Sequence, residues 1–542
     1  MRRKLVAAIL TLALILGVTG AFALPEVPAK YELPLVTDGS IKLTVYMAME
    51  QGAETMMLTY DEHTAIQEWE KRTGIDFTFV HPPENDDGTY FNMVVASGEL
   101  PDIFVTGAWH SRYPGGVEGA IQDGILLDLN PFIEKYGYHY LTEAHTNWDA
   151  QAKRNFMTDS GMYRFGAASQ RVPVLGKQHT GMVVRSDVLD EIGFDYNKIM
   201  TIDEVTEMLR AFKKHGFEVP LALSDLDASY YWGDSFLSAW AGVKAENFML
   251  DENGKVTYCR LQPGFKEYLE LLAGWMAEGL IDRDFINRNH NEAEAMVTSG
   301  RAAMTAIGNW ETQEDIALVQ VNDPKAMLKG ITAPVRDEAS LGVVNEFANP
   351  IVNGTNTMYW GISTTCKHPE IAFKAMDYLY SYEGTELMVF GVEKLEDGTD
   401  IHWTNPDGTR QFSDYILHNP TLAYNSIRRV YTIQNLSSEY ASEMEYMQYG
   451  AECNAQCWDA WTRNATDARI VPSTISLTSE ESAEFINTMN IIETFIFDKC
   501  YSIICGDDSI DNWDGYVKEL YNLGIERMIE IQQNAYDRYM AR

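Results

Sequence analysis

The stretch Ile41-Lys42-Leu43-Thr44-Val45-Tyr46 alternates in hydropathy with a period of two, the pattern of a strand that lays one face on a core. Beyond it, Ile66 and Trp69 supply part of an apolar stripe at helical spacing, Gly74 is placed to end that helix, and Ile75, Phe77 and Phe79 alternate again. A strand, a helix and a second strand in one run predict a parallel pair joined by a right-handed crossover. The same grammar recurs downstream. Thr201-Ile202-Asp203-Glu204 is a capping box, and Val205, Met208, Leu209 and Phe212 then fall on one helix face, with Gly216 beyond its end. Pro263 starts a helix carrying Tyr268, Leu271, Leu272, Trp275 and Met276 up to Gly279, and Pro369 starts another carrying Ile371, Ala372, Ala375, Met376 and Leu379. Asp251-Glu252-Asn253-Gly254-Lys255 is turn chemistry between short strands. Strands and helices alternate throughout, so the fold class is α/β. Trp69 and Trp275, on apolar helix faces, are expected in the core.

At 542 residues the chain exceeds what one hydrophobic core supports, which predicts several units or two large lobes. A composition of 46% hydrophobic and 12% aromatic residues excludes wholesale disorder. Asp and Glu number 79 against 42 Lys and Arg, and the resulting formal charge of −37 repels phosphate backbones and anionic headgroups, so no nucleic acid partner is expected. Arg2, Arg3 and Lys4 precede an uncharged run from Leu5 to Ala23 that closes on Ala21-Phe22-Ala23, the form of a signal peptide over residues 1–23, cleaved near Ala23. The run is also long enough to serve as a membrane anchor. Residues 1–258 hold no cysteine, so no lipid-anchor cysteine stands at that site, and the mature chain is expected to be secreted, periplasmic or extracellular.

Six cysteines, at 259, 366, 453, 457, 500 and 505, admit one or two disulfides between the close pairs 453/457 and 500/505 in an oxidising compartment. Cys453 and Cys457 share a helix face, but no further His or Cys completes a zinc pattern, and neither a metal nor a cofactor is expected. The chain has no Gly-x-Ser-x-Gly elbow, no His-Glu-x-x-His helix, no Gly-x4-Gly-Lys-Ser/Thr loop and no Gly-x-Gly-x-x-Gly turn. Glycoside hydrolysis needs only two carboxylates at a set separation and would leave no such mark. Asp282 with Asp284, and Asp507 with Asp508, read as solvated loop acids.

Ala96-Ser97-Gly98-Glu99-Leu100-Pro101-Asp102-Ile103-Phe104 resembles family one of the extracellular solute-binding proteins, the maltose-binding-protein-like group that serves sugar importers. Matching segments continue in order: Gly124-Ile125-Leu126-Leu127-Asp128-Leu129, Arg185-Ser186-Asp187-Val188-Leu189, Glu278-Gly279-Leu280-Ile281-Asp282-Arg283-Asp284-Phe285, Gly300-Arg301-Ala302-Ala303-Met304 followed by Trp310, and His368-Pro369-Glu370-Ile371-Ala372. The tail, with Trp513-Asp514-Gly515-Tyr516-Val517 and Tyr536-Asp537-Arg538-Tyr539, resembles the longer oligosaccharide-associated branch. The resemblance implies a two-lobed periplasmic-binding-protein fold of type II with the ligand cleft between the lobes. Lobe one would hold residues 38–165 and 335–425, and lobe two residues 166–334 and 426–542. It further implies no enzyme but a monomeric extracytoplasmic protein that captures a carbohydrate, an oligosaccharide above all, and delivers it to the membrane permease subunits of an ABC importer. A secreted carbohydrate hydrolase, or a binder of peptide or another solute on the same scaffold, is the alternative.

Sugars present apolar C–H faces and a rim of hydroxyls, so their sites combine aromatic platforms with hydrogen-bonding side chains. Trp109 and Arg112, just past the Pro101–Phe104 segment, and Trp310 match cleft positions of the family. Tyr231 and Trp232, with Tyr230, lie in a polar loop where the family often supplies a stacking ring. Glu50 and Gln51 follow the first strand, and Asn356 and Trp360 precede the return strand, where each is placed to bond hydroxyls.

Overall fold

The structure is a computed structural model and describes residues 24–50, 53–83, 88–148, 150–168, 180–224, 239–240, 248–309, 311–342, 355–419, 421–422, 424–433, 452–464, 469–472 and 474–542. In chain order the strands are β1 (Lys42–Met47), β2 (Asp76–Val80), β3 (Ile103–Thr106), β4 (Gly166–Ala168), β5 (Thr180–Arg185), β6 (Val219–Leu221), β7 (Phe248–Leu250), β8 (Val256–Tyr258), β9 (Ala302–Gly308), β10 (Leu328–Gly330), β11 (Thr355–Ile362), β12 (His402–Thr404) and β13 (Arg410–Phe412). The helices that matter below are α1 (Thr64–Thr73), α2 (Ile202–His215), α3 (Pro263–Glu278), α4 (His290–Thr298), α5 (Thr312–Asn322), α6 (Pro369–Tyr378), α7 (Tyr424–Tyr431), α8 (Glu452–Thr462), α9 (Ser479–Ile504), α10 (Trp513–Asn522) and α11 (Ile525–Ala541).

The opening strand-helix-strand unit forms as its periodicity predicts. β1 pairs in parallel with β2, Leu43 opposite Phe77 and Val45 opposite Phe79. Between them α1 is capped by His63, whose Nδ1 accepts the Ala65 N–H at 3.2 Å, and is ended by Gly74 in the left-handed region at φ 76°, where a Cβ would collide with the Val36 carbonyl. Trp69 is buried and stacks on Phe77 with ring centroids 4.0 Å apart. The sheet runs β2-β1-β3-β11-β4, with β11 antiparallel to both of its neighbours. A second sheet, β10-β5-β9-β6, has β9 at its centre with every residue buried. The Thr201/Glu204 capping box of α2 forms, and Gly279 ends α3 at φ 65°. Asp251 closes the β7–β8 hairpin by accepting the N–H groups of Asn253 and Lys255, each at 2.8 Å.

Two large hydrophobic cores follow these sheets. One draws on residues from Leu43 to Phe165 and again from Tyr359 to Ile433, the other on residues from Met182 to Ile331 and from Met489 to Ile531. Two segments sit with the first core although the expected edges assign them to lobe two. β4 pairs with β11 in the first sheet, and Ile427, Val430, Tyr431 and Ile433 bury their side chains against the first core. Both placements come from long-range pairing and burial.

The C-terminal helices build onto the second core and then reach back to the first. α8 lies on the second sheet so closely that a Cβ at Gly181 would come within 2.5 Å of the Trp461 ring, whose Nε1–H donates to the Met182 carbonyl at 2.9 Å. From α11, Arg538 pairs with Asp159 at 2.9 Å, and Arg542, its side chain 1% exposed, pairs with the same carboxylate at 2.6 Å. Asn155 accepts from Thr474 and Tyr539, both at 2.8 Å, and Arg164 donates to Ser476 at 2.8 Å. None of the six cysteines is in a disulfide. Among the described residues no helix is long and apolar enough to cross a membrane.

Two buried titratable groups of the first core pull stability in opposite directions with pH. Asp377 accepts from the backbone N–H groups of His139 and Tyr140 and from the Tyr31 hydroxyl, yet burial pushes its carboxyl up to about 7, so its contribution weakens as pH rises toward that value. Burial pushes His63 down to about 4 from its ordinary 6.5, and its capping role needs the unprotonated Nδ1. In that window the unfolded chain binds the proton first, so the stability His63 provides is complete above about 6.5 and is lost as pH falls to about 4. His63→Asn keeps a capping side chain and removes the titration. Urea unfolding at pH 6.5 and pH 4 should show the variant losing about 3 kcal/mol less than the parent across the interval.

Candidate functional site

At the C-terminal ends of β1 and β2, where ligands of α/β sheets bind, four polar groups from separate segments meet. His81, just past β2, has Nδ1 2.6 Å from the Met47 carbonyl, while its Nε2 accepts the Tyr60 N–H at 3.2 Å, which places the ring proton on Nδ1. The Tyr60 hydroxyl accepts the Glu50 N–H at 2.7 Å, and the Glu50 carboxylate stands 3.5 Å from Nε of Arg429 on α7. Burial lowers the pKa of the His81 imidazole and of the Arg429 guanidinium and raises that of the Tyr60 hydroxyl, although the nearby Glu50 works to hold the Arg429 charge. Glu50 and Arg429, both half-buried, set a carboxylate and a guanidinium at this strand end as acceptor and donor for a polyhydroxylated solute, while Tyr60, 0% exposed, and His81, bonded at both ring nitrogens, support them from beneath. Of these only Glu50 was predicted from sequence. The adjacent cations Arg428 and Arg429 in so acidic a chain are the signal that points to the rest.

The other predicted residues divide. Trp109 is 0% exposed, its ring edge-on to Phe91 at 4.8 Å and to Phe104 at 5.1 Å, so it is a core residue of the first lobe and does not present a platform. The short helix Ala108–Ser111 that carries it turns the ring inward, under the sheet end. Its neighbour Arg112 is exposed, with its side chain beside Gly88. Trp360 is likewise enclosed at 5% exposure, opposite Val105 in the β11–β3 ladder and edge-on to Trp69 at 6.4 Å. Both rings sit where sequence adjacency to a strand end does not reveal which face they take. Asn356 lies in β11, and its side chain is outside the description. Gln51, Tyr231, Trp232 and Trp310 lie outside the described residues.

In the second lobe β9 ends on Gly308, and Asn309 follows, fully buried, with neither amide atom hydrogen-bonded among the described residues. Glu311 then turns back to accept the Gly308 N–H at 2.6 Å and approaches His290 Nε2 at 3.2 Å. Glu294, Glu314 and Asp315 complete an acidic group around this turn. Burial, a hydrogen bond to Glu294 and the charges of Glu294, Glu311 and Glu314 push the Asp315 carboxyl up to about 10. No sequence motif announces this group, because its members come from two helices and the turn between β9 and α5.

Two α/β lobes with polar groups gathered at strand ends define a binding protein of the two-lobed type. Residues 59–386 match the bacterial extracellular solute-binding proteins, and the chain belongs to that family. It is 26% identical over 260 residues to the lipoprotein LipO of Bacillus subtilis (strain 168), an alignment of 45% of this chain that spans about half, 46%, of LipO. It is 19% identical over 510 residues to the fructooligosaccharide ABC transporter substrate-binding protein FusA of Streptococcus pneumoniae serotype 4, covering 89% of this chain and 88% of that one. The fold superposes on S. pneumoniae FusA in complex with kestose with a TM-score of 0.72 at 16% identity, over 92% of this chain and 99% of that one. The alginate-binding protein AlgQ2, solved without calcium ion, gives a TM-score of 0.71 at 20% identity, over 94% of this chain and 100% of that one.

The contrast between Trp109 and Arg112 is testable without a ligand. Trp109→Ala should remove about 3 to 5 kcal/mol of folding stability, because it empties a ring-sized volume between Phe91 and Phe104. Arg112→Ala, at an exposed position, should stay within about 0.5 kcal/mol of the parent. Denaturant unfolding of the two variants measures both.

Proposed function

We propose that the chain is the extracytoplasmic binding subunit of an ABC importer and that it captures an oligosaccharide in the cleft between its lobes. The observation that carries this reading is the near full-length alignment with FusA, a protein whose own ligand is a fructooligosaccharide. The Glu50–Arg429 pair, held by Tyr60 beneath it, supports it, since a carboxylate and a guanidinium suit hydroxyls at the strand ends where ligands of α/β sheets bind. In this reading Glu50 and Arg112 act from the first lobe with Gln51 and Asn356, while Tyr231, Trp232 and Trp310 supply rings from the second. Trp109 and Trp360 stabilise the first lobe beneath them. The protein works as a monomer, is secreted with its leader cleaved near Ala23, and passes its ligand to permease subunits.

A thermal-shift screen of oligosaccharides, beginning with fructooligosaccharides, tests the ligand class. A ligand at 100 times its dissociation constant should add about 2.7 kcal/mol of stability. Stabilisation by peptides alone, or release of reducing sugar during incubation, would replace this reading with another solute or with hydrolysis. With a ligand in hand, Trp310→Ala should weaken binding roughly ten- to a hundredfold, the loss of one stacked ring worth about 1.5 to 3 kcal/mol. Calorimetric titration reads that change, and unchanged affinity removes Trp310 from the site. Small-angle scattering should show the radius of gyration shrink on saturation as the lobes close.

A further inference from the structure

His290 and Glu294 stand one turn apart on α4 and share a helix face, both half-buried. Glu311, at the N-cap of α5, meets them from the turn that follows β9. One ligand atom from each of the three lies within 4.8 Å of the others, His290 Nε2 being 3.2 Å from Glu311 and 3.9 Å from Glu294. Bonds of about 2.0 to 2.2 Å to a single divalent ion set ligand atoms about 3 to 3.5 Å apart, so the longest side of the triangle closes by about 1 to 2 Å on binding, within reach of a glutamate rotamer change. Glu311 is already oriented by the Gly308 N–H.

Behind this triangle lies Asp315, 1% exposed, which shares a hydrogen bond with the Glu294 carboxyl, while its Oδ1 has no hydrogen-bond partner among the described residues. Among the described residues no lysine or arginine forms an ion pair with Glu294, Glu311, Glu314 or Asp315. A protonated His290 would face both carboxylates at once, Glu311 at 3.2 Å and Glu294 at 3.9 Å, so one imidazolium is set against two acids.

We infer that this cluster is a binding site for a divalent transition-metal ion, with His290 Nε2 and carboxylate oxygens of Glu294 and Glu311 as ligands and Asp315 as the buried group that positions Glu294. A ligand set containing imidazole suits Zn²⁺ or Co²⁺ better than Ca²⁺ or Mg²⁺. A single-loop calcium site takes its ligands from one short run of residues, whereas these come from one helix and the start of the next. The bound ion would clamp α4 to the turn after β9, whatever solute the cleft takes.

The test is titration of the chelator-stripped full chain with Zn²⁺ alone, followed by calorimetry, and with Co²⁺, followed by its visible absorption. One Zn²⁺ should bind per chain at micromolar concentration or below, and Co²⁺ should develop d–d bands. His290→Gln and Glu311→Gln should each weaken Zn²⁺ binding at least tenfold and abolish the Co²⁺ bands, while Ca²⁺ in a hundredfold excess leaves them unchanged. Asp315→Asn should weaken binding by about ten- to a hundredfold with the ligands intact, as loss of an orienting partner does. Far-UV circular dichroism confirms that each variant folds, and if His290→Gln does not, Glu311→Gln decides. The assignment is overturned by the absence of a 1:1 event up to millimolar Zn²⁺, by affinity that survives both ligand substitutions, or by Ca²⁺ displacing Co²⁺.

Discussion

Asp159 and its arginines hold the place where the two halves of the molecule meet. The first core ends its opening run at Phe165, the second begins at Met182, and the segment 154–164 just before that passage is gripped by residues that come far later in the chain. Arg538 and Arg542 share one carboxylate, Arg164 reaches Ser476, and Asn155 takes two hydroxyl donors. A buried charge left without its partner costs several kcal/mol, so each member of this set depends on the others. Everything packed on either side inherits its placement from that junction, since α11 belongs to the second lobe by burial and touches the first through these bonds.

The fold was legible in sequence where local chemistry decides it. The period-two runs around Leu43 and Phe77, the Thr201/Glu204 box and the Pro263-to-Gly279 helix all state their element and their buried face within a dozen residues. What failed to read was anything settled across the chain. Trp109 and Trp360 follow or line strands near the cleft, as binding rings do, but the direction of each ring depends on neighbours as distant as Phe91 and Trp69. The same holds for β4, which has no identity as a strand of the first sheet until β11 pairs with it.

The candidate site was half legible. Glu50 was marked by its place after β1, whereas Tyr60, His81 and Arg429 come from a turn, a strand end and a late helix, and no spacing rule links them. Family membership accounts for the two-lobed arrangement and for solute binding, and it does not fix the choice of solute. The formal charge of −37 bears on that choice, because an anionic polymer would approach against the field of the whole protein while a neutral one would not.

The position of β11 has a consequence for biosynthesis. This strand lies between β3 and β4, pairing with both, yet it begins at Thr355, long after β4 ends at Ala168. As the chain emerges vectorially, the first sheet therefore waits with an open seam while the whole of β5 to β10 is made, and the unpaired edges of β3 and β4 are adhesive for that time. The second lobe has its own core and can fold in the interval, acting as a spacer that keeps the seam's two sides on one tether. Closure of such a long loop is slow relative to local pairing, so the nascent first lobe is the natural client for a holding chaperone, and truncations upstream of Thr355 would yield an aggregating half-sheet instead of a small stable domain.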